Sequence, residues 1–199
     1  VKECVLKVFV VGHTGKIICM AVTKHSQYLF TGSYDLSIIV WDLKSFAVKL
    51  RIHEHIAPVL CITGGLNNSV IISGGEDSSI IITSLSDGHV VMKIDHHRGP
   101  VTSVKVTSTG DILVSGSQDG RVCLWSLETF TLLNTITLQS PIQMIEVSAD
   151  SVFLLACCRD NNLYLRTLAT GTELHSLVEH KTKVTFRNFK FRVSATAPF

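Results

Sequence analysis

The stretch GSYDLSIIVWD, residues 32–42, decides the fold, because a turn centred on an aspartate is followed directly by an apolar run of strand length. Three further stretches follow the same pattern: GGEDSSIIITS at 74–84, GSQDGRVCLWS at 116–126 and CCRDNNLYLRT at 157–167. Their aspartates, separated by 42, 42 and 41 residues, are Asp35, Asp77, Asp119 and Asp160. A constant period of this length indicates a protein built from internal repeats.

A second landmark keeps the same period. A histidine lies 22 residues before three of the aspartates, and an isoleucine or valine follows each histidine by four residues. The three pairs are His13 with Ile17, His55 with Val59, and His97 with Val101. In the fourth copy Leu138 replaces the histidine and Ile142 follows, and His180 with Val184 opens a fifth copy. Chance does not readily produce two landmarks with one period.

Each repeat predicts four short β-strands and no helix. In the third copy we expect strands at residues 89–94, 101–106, 112–116 and 121–126, with turn-forming residues between them. The Asp119-Gly120 pair is a hairpin signal, since glycine adopts a positive φ angle without steric cost. Nothing between the strands has helical spacing. The predicted fold class is therefore all-β.

Composition argues against several classes of function. The 199-residue chain is 46% hydrophobic and 17% charged, which is typical of a folded globular protein. Its net charge is +2 and its lysines and arginines are scattered, which argues against binding to nucleic acid or to an anionic membrane. No apolar stretch approaches the roughly 18 residues of a membrane-spanning helix. The six cysteines lack zinc-ligand spacing, so we expect reduced thiols in a cytoplasmic protein.

The period and its end points resemble the WD-repeat family, whose repeats of roughly 40–45 residues run from a Gly-His pair to a Trp-Asp pair and form four-stranded blades of a β-propeller. Gly12-His13 and Trp41-Asp42 match both ends in the first repeat, and His97 and Trp125 match in the third. The resemblance covers residues from about 4 to 185. It implies about four four-stranded antiparallel blades in an incomplete ring, as a fragment of a larger propeller.

The resemblance also implies a structural hydrogen-bond tetrad of histidine, serine or threonine, aspartate and tryptophan in each blade. By position the tetrad residues are His13, Thr31, Asp35 and Trp41 in the first repeat, His97, Ser115, Asp119 and Trp125 in the third, and an incomplete His55, Ser73 and Asp77 in the second. Thr83 occupies the tryptophan position of the second repeat. The fourth repeat keeps only Asp160, so we expect apolar packing to hold that blade, with Asp160 solvated or paired.

The pattern divides the chain into a propeller segment, residues 1–185, and an off-pattern tail, residues 186–199. The repeats span about 4–43, 44–85, 86–127 and 128–168, followed by a partial fifth at 169–185. Outermost strands are expected to begin with Cys4–Val10 and to end with Glu173–Val178. A closed ring needs one outermost strand per blade, so the additional strand predicts further blades. The chain begins with Val1 and not with methionine, which suggests a native start upstream.

Three motifs that resemble catalytic or ligand-binding sites are explained better by the repeat. Residues 11–16 resemble a phosphate-binding loop, but Val10 and Ile17 stand where that motif needs glycine and a hydroxyl residue. Residues 53–55 and 95–97 resemble metal-ligand clusters, but successive strand residues point to opposite faces of a sheet. The recurring Asp, His and Ser residues resemble a hydrolytic triad, but the family resemblance implies that these residues have a structural role. We therefore expect no catalytic residue, metal or cofactor.

The expected function is the binding of other proteins. The loops before the innermost strands and the turns around the tetrad aspartates open on one face, and its partner-binding residues are expected to be Lys16, Tyr34, Glu76, Arg98, Gln118 and Arg159. The mixture of polar side chains with one aromatic anchor suits a protein interface. We expect no nucleic acid, membrane or small-molecule substrate as a partner.

Among possible parents, the Trp-poor blades most resemble the propeller regions of NACHT and WD-repeat proteins, which act as cytoplasmic sensors or assembly platforms. The alternative is the substrate-recognition propeller of a ubiquitin ligase complex. A propeller enzyme is the weakest of the three, because a central polar or metal site needs carboxylates on the innermost strands. Those strands, expected at 17–22, 59–63, 101–106 and 142–147, contain only Glu146.

Overall fold

The computed structural model describes residues 12–23, 25–65 and 69–177, and the sixteen strands within these ranges form four sheets. Sheet one contains β1 (Ile17–Val22), β2 (Tyr28–Ser33), β3 (Ile38–Asp42) and β4 (Val48–Ile52). Sheet two contains β5 (Val59–Gly65), β6 (Val70–Gly75), β7 (Ile80–Ser84) and β8 (Val90–Ile94). Sheet three contains β9 (Val101–Val106), β10 (Ile112–Ser117), β11 (Arg121–Ser126) and β12 (Leu132–Thr137). Sheet four contains β13 (Ile142–Val147), β14 (Phe153–Cys158), β15 (Leu163–Thr167) and β16 (Glu173–Leu177).

Each sheet is an antiparallel meander, because strands that are consecutive in the sequence are neighbours in the sheet. The first strands of the four sheets contact one another in order, so they form the inner side of the assembly and the fourth strands lie at its periphery. The all-β expectation and the four blades are confirmed, and the strands of the third repeat lie within one residue of their expected bounds. None of the described residues forms a helix able to cross a membrane.

The sheets are offset by one strand from the sequence repeats. The strand β4 opens the second repeat, yet it is hydrogen-bonded to β3 of the first. The outermost strand expected at Glu173–Val178 is β16, which pairs with β15 and completes sheet four. This strand therefore does not indicate a further blade, because a short turn between antiparallel strands returns the second strand to the edge of the first. The expected strand at Cys4–Val10, the start of the fifth repeat at His180 and the tail 186–199 lie outside the described residues.

The turns that carry the aspartates adopt the left-handed conformation in all four sheets. Gly120 has a φ angle of +80°, and the corresponding residues Leu36, Ser78 and Asn161 have φ angles of 68°, 66° and 66°. The left-handed region is costly for residues with a Cβ atom, least so for asparagine. The first two sheets therefore make the same hairpin as sheet three at a higher conformational cost.

The hydrophobic core lies between the sheets and forms three layers. Between sheets one and two the core residues include Phe30, Val40 and Ile62, all buried. Trp125 and Ile82 belong to the layer between sheets two and three. The third layer joins sheets three and four, and its buried residues are mainly aliphatic: Val114, Val122, Leu124, Ile136, Leu138, Ile142, Ile145, Leu154, Ala156, Cys158 and Leu168. The contacts run from each sheet to the next, and the described residues do not close a ring.

A close approach between a glycine and an aliphatic side chain sets the spacing of neighbouring sheets. A Cβ atom on Gly32 in β2 would lie 2.7 Å from Cγ1 of Val59 in β5. On Gly74 it would lie 2.6 Å from Cγ1 of Val101, and on Gly116 it would lie 3.1 Å from Cγ2 of Ile142. The aliphatic residue is in each case the first of its inner strand and is fully buried, at 0% exposure. We call these residues the junction glycines and the junction aliphatic residues.

The Gly74→Ala substitution is expected to lower the free energy of unfolding by about 3 kcal/mol, because overpacking a closed junction displaces its neighbours. The new Cβ would lie 2.6 Å from Val101 and 2.7 Å from Sγ of Cys61, and neither residue has space to move away, since both are buried. Urea unfolding followed by circular dichroism measures the loss. Gly110→Ala is the control: Gly110 has a φ angle of +86° and open space around it, so only backbone strain of about 1 kcal/mol is expected. Equal losses in the two variants would show that the junction tolerates a methyl group.

Candidate functional site

Four side chains of sheet three form a continuous hydrogen-bond network. Nδ1 of His97 lies 3.0 Å from Oδ2 of Asp119, and Nε2 of His97 lies 2.9 Å from Oγ of Ser115. The indole Nε1 of Trp125 donates to the same hydroxyl at 2.9 Å. The loop before β9 supplies the histidine, β10 the serine, the turn after it the aspartate, and β11 the tryptophan. The structure thus brings together the four residues that sequence position assigned to one tetrad.

The protonation states in this network follow from burial. Desolvation lowers the pKa of His97 below its ordinary value of 6.5, even though the hydrogen bond to Asp119 acts in the opposite direction. Burial by itself raises the pKa of Asp119, but hydrogen bonds from the backbone of Arg98 and from His97 outweigh it and the pKa is lowered. At neutral pH the imidazole is therefore neutral and the carboxylate charged. Nδ1–H donates to Asp119, and Nε2 accepts from the serine hydroxyl.

Sheet one contains a complete tetrad of the same kind. His13 contacts Asp35 through Nδ1, at 3.0 Å, and Thr31 through Nε2, at 2.8 Å. Trp41 donates to the hydroxyl of Thr31 at 2.9 Å. An additional hydroxyl, from Ser37, donates to Asp35 at 2.5 Å. The pKa of Asp35 lies far below its usual range, because these hydrogen bonds outweigh the desolvation that would raise it.

Sheet two has the first three tetrad residues and a different fourth. His55 lies 2.9 Å from Asp77 and 2.9 Å from Ser73. Thr83 occupies the tryptophan position and is fully buried, and its hydroxyl has no hydrogen-bond partner among the described residues. A buried hydroxyl without a partner destabilises a fold by about 1–3 kcal/mol. The replacement thus removes a donor to Ser73 and adds an unsatisfied group.

Sheet four lacks the tetrad and uses other contacts. Leu138 and Ala156 occupy the histidine and serine positions and are buried in the layer between sheets three and four. Asp160 is exposed and accepts a hydrogen bond from the hydroxyl of Tyr164 at 2.8 Å. Arg166, at the tryptophan position, pairs with Glu173 at 2.7 Å, while its Nε atom is buried without a partner among the described residues. Apolar packing replaces the hydrogen-bond network in this sheet.

The tetrad carboxylates also hold the surface loops. The backbone N–H that follows each tetrad histidine donates to the aspartate: Thr14 to Asp35 at 2.8 Å, Ile56 to Asp77 at 3.1 Å and Arg98 to Asp119 at 3.0 Å. A second backbone bond recurs in all four sheets and ties each turn to the residue before the inner strand. Its donor and acceptor pairs are Tyr34 to Lys16, Glu76 to Pro58, Gln118 to Pro100 and Arg159 to Pro141, at 2.8–3.0 Å. The internal network therefore fixes the backbone of one surface.

The residues expected to bind partners lie on this surface. Tyr34, Glu76, Gln118 and Arg159 occupy the same position in the four turns, and Lys16 and Arg98 lie in the loops before β1 and β9. All six of them are exposed: Lys16, Tyr34, Glu76, Arg98, Gln118 and Arg159. Tyr34 is 52% exposed. Sequence reasoning missed Ile56, which is 81% exposed in the same loop of sheet two. Its position directly after the tetrad histidine was the available signal, because Thr14 and Arg98 follow the other two histidines. The role of these residues in binding partners stays a prediction.

The side chains of the other motifs considered from sequence make packing and ion-pair contacts within the fold. The ring of His96 packs edge-on against Trp125, with centroids 5.2 Å apart. Glu146, the single carboxylate expected on the innermost strands, pairs with Lys105 at 2.7 Å. Within residues 12–23, 25–65 and 69–177, no three His, Cys, Asp or Glu side chains are grouped so that they could hold a metal ion. Desolvation raises the pKa of the Cys19 thiol to about 12 and that of Cys123 to about 11, which makes both poor nucleophiles at neutral pH.

Four-stranded meanders that stack through their faces, with a buried tetrad in sheets one and three and an incomplete one in sheet two, define blades of β-propeller type. Comparison with protein families agrees: the family described as WD domain, G-beta repeat matches residues 3–42 and 88–126. These two segments are similar to WD repeats, and they include the two tetrads that retain tryptophan. A search of curated proteins found no sequence that matches the chain.

The Ser115→Ala substitution is expected to lower the free energy of unfolding by about 3 kcal/mol, because it leaves both Trp125 Nε1 and His97 Nε2 buried without a partner. Ser73→Ala in sheet two leaves only His55 Nε2 without a partner and should cost about 1.5 kcal/mol. Chemical denaturation of both variants measures the difference. The substitution is the same in both, so equal losses would contradict the contribution assigned to the tryptophan.

Stability is expected to fall as the pH is lowered. The unfolded chain titrates at the ordinary histidine pKa of 6.5, whereas His97 in the folded chain titrates lower, so acidification favours the unfolded state from about pH 6.5 downward. The lowered pKa values of Asp77 and Asp119 extend the loss below about pH 4. Urea unfolding at a series of pH values measures the slope, and His97→Asn should reduce it between about pH 6.5 and pH 5. A wild-type stability that is constant or rises on acidification would contradict this assignment.

Proposed function

We propose that this chain is a non-enzymatic scaffold that binds other proteins through the surface formed by the inner-strand loops and the aspartate turns. WD repeats suggest such a scaffold, because WD-repeat propellers generally mediate protein–protein interactions and are generally non-enzymatic. The observation that carries the proposal is the rigid presentation of this surface. In three sheets the tetrad aspartate holds the loop backbone, while the side chains of the loop and turn remain exposed.

The chemistry of the surface supports a protein partner. Two large apolar side chains, Tyr34 and Ile56, are more than half exposed on the loops and turns of adjacent sheets. Cationic and anionic groups stand around them, with Lys16 in sheet one, Glu76 in sheet two and Arg98 in sheet three. An apolar centre with a mixed polar rim is the usual composition of a protein interface. Side chains on a fixed backbone lose less conformational entropy on binding.

The hydrogen bonds and ion pairs of the polar side chains also favour binding over catalysis. The tetrad histidines bond to both an aspartate and a hydroxyl, so neither ring nitrogen is left for a substrate. Glu146 is held in an ion pair with Lys105. The proposal includes the absence of catalysis, of cofactors, and of nucleic-acid or membrane partners, and it includes a cytoplasmic location, for which composition is the support.

The particular parent proteins stay proposals that rest on sequence resemblance alone. They are a NACHT and WD-repeat signalling protein, in which the propeller acts as sensor or autoinhibitory element, and a ubiquitin ligase complex, in which it recognises substrates. Sequencing of the full-length transcript distinguishes them, because a NACHT domain or an F-box encoded upstream identifies the corresponding parent. A transcript that encodes neither domain would remove both.

Substitutions on the proposed surface are expected to abolish partner binding without unfolding the chain. Tyr34→Ala removes the aromatic side chain and Arg98→Glu reverses a charge, and both residues are exposed. The proteins that co-purify with the wild-type chain should be lost at least ten-fold from each variant, since a central interface residue commonly contributes about 2 kcal/mol. Quantitative mass spectrometry of affinity-purified chain measures the loss.

Leu133→Ala is the matched control for this experiment. Leu133 lies on the peripheral strand β12 and is 54% exposed, about as much as Tyr34, but it is remote from the inner-strand loops. It should retain the partners that Tyr34→Ala loses. If all three variants retained the same proteins as wild type, the surface would not be the binding site.

A further inference from the structure

The fourth strand of each sheet is an edge strand, because it pairs with the third strand and with no other. An edge strand presents unpaired backbone N–H and C=O groups to which another extended chain can bind, and proteins commonly protect such edges with charged side chains. Three of the four edge strands follow this rule, since β4 carries Lys49 and Arg51, β8 carries Lys93 and β16 carries Glu173. The strand β12, with the sequence LLNTIT, carries no charge.

The charged side chains of the other edge strands also make contacts of their own. Nζ of Lys49 lies 4.2 Å from the centroid of the Tyr28 ring, and Glu173 pairs with Arg166 at 2.7 Å. A strand that paired with β4 or β16 would disturb these contacts and remove water from a charged group, which is unfavourable. Pairing with β12 carries neither cost.

The start of β12 exposes two adjacent apolar side chains. Leu132 is 39% exposed and Leu133 is 54% exposed. Leu133 is the extra residue of the β-bulge in β12, so it has no partner on β11. The residue at the same position of β4 is Lys49. An apolar surface therefore lies beside an uncharged edge in sheet three, where sheet one has a charge.

The backbone of β12 directs alternate residues away from β11. The N–H of Leu138 donates to the carbonyl of Gly120 at 2.7 Å, and the pairing with β11 continues in one register as far as Asn134. In an antiparallel ladder every second residue exchanges both backbone hydrogen bonds with its partner, so Thr135 and Thr137 direct theirs outward. The N–H of Thr135 accordingly donates to Oδ1 of the Asn134 side chain, at 2.8 Å. A carbonyl of an added strand can take the place of this side-chain acceptor.

We propose that β12 is a docking site at which an extended segment of a partner protein adds to sheet three as a fifth strand. The segment is uncharged and rich in β-branched residues, and it places an apolar side chain against Leu133. Backbone hydrogen bonds supply the affinity in this mode of binding, and the side chains supply the selectivity. The segment lacks charge because β12 offers no ion-pair partner that would offset the loss of hydration. This site is separate from the loop surface and does not depend on it.

A second copy of the chain is a poorer occupant than a flexible segment. The strand β12 has six residues, so two copies would pair over a length of only about 20 Å. A stable interface between folded proteins buries roughly 1,200–2,000 Å², which needs contact well beyond one pair of strands. A flexible segment can in addition lay its flanking residues on Leu132 and Leu133.

The test uses a defined peptide of alternating threonine and valine, about eight residues long, blocked at both ends and fluorescently labelled. Its fluorescence anisotropy should rise to saturation as the chain is titrated. Thr135→Pro should weaken binding about ten-fold or more, because proline lacks the outward N–H while the ladder to β11 keeps its hydrogen bonds. Thr135→Val is the matched control, since it keeps the N–H and should bind like wild type. Circular dichroism establishes that both variants are folded.

Three further comparisons separate strand addition from other kinds of contact. The same peptide with every amide nitrogen methylated keeps its side chains but has no backbone donor, and it should not bind. Leu133→Lys gives β12 the residue that β4 has at this position, and it should weaken binding about five-fold. Tyr34→Ala alters only the loop surface and should leave peptide binding unchanged, so this proposal and the proposed function can fail independently.

Three results would overturn the proposal. The first is the absence of saturable binding to the wild-type chain. The second is equal binding by Thr135→Pro or by the methylated peptide, which would show apolar contact without backbone pairing. The third is a concentration-dependent dimer of the wild-type chain in analytical ultracentrifugation that Thr135→Pro abolishes, which would show that a second copy occupies β12.

Discussion

The contact between a glycine on one sheet and an aliphatic side chain on the next is the constraint on which the stack depends. Hydrophobic stabilisation requires that two sheet faces come close enough to exclude water, and a Cβ atom at the junction would hold them apart. With Gly32, Gly74 and Gly116 at these positions, the inner strands approach and three apolar layers form. The same constraint gives the stack a direction, since the glycine of sheets one, two and three meets the first aliphatic residue of the inner strand in the following sheet.

The tetrad connects this interior to the surface. A neutral imidazole has one donor and one acceptor, and the aspartate and the hydroxyl satisfy both. The aspartate has further acceptor capacity, which it uses for the backbone N–H of the following loop. A single buried network therefore stabilises the sheet and holds the loop that carries the exposed side chains. Loss of the network affects both stability and the shape of the surface.

The four repeats differ in the tetrad hydrogen bonds that they contain. Sheets one and three have tryptophan, and its indole donates to the tetrad hydroxyl. In sheets two and four the tryptophan position holds Thr83 and Arg166, and each of these residues has a buried polar atom without a partner among the described residues. Sheet four compensates with an apolar layer and with the Arg166–Glu173 pair.

Sequence alone determined the period and the four-stranded unit, because spacing along one strand or turn is a local property that repetition makes visible. The members of each tetrad followed from the resemblance to WD repeats. It predicted the strands of the third repeat to within one residue. It did not predict that the strand beginning at Glu173 completes sheet four, since pairing across a turn decides which sheet receives a strand. The exposure of Ile56 and Leu133, and the role of the junction glycines, also depended on tertiary structure. Burial of a side chain depends on the residues that lie across the junction from it, and the two residues of each junction are 26 or 27 positions apart in the sequence, about two thirds of a repeat.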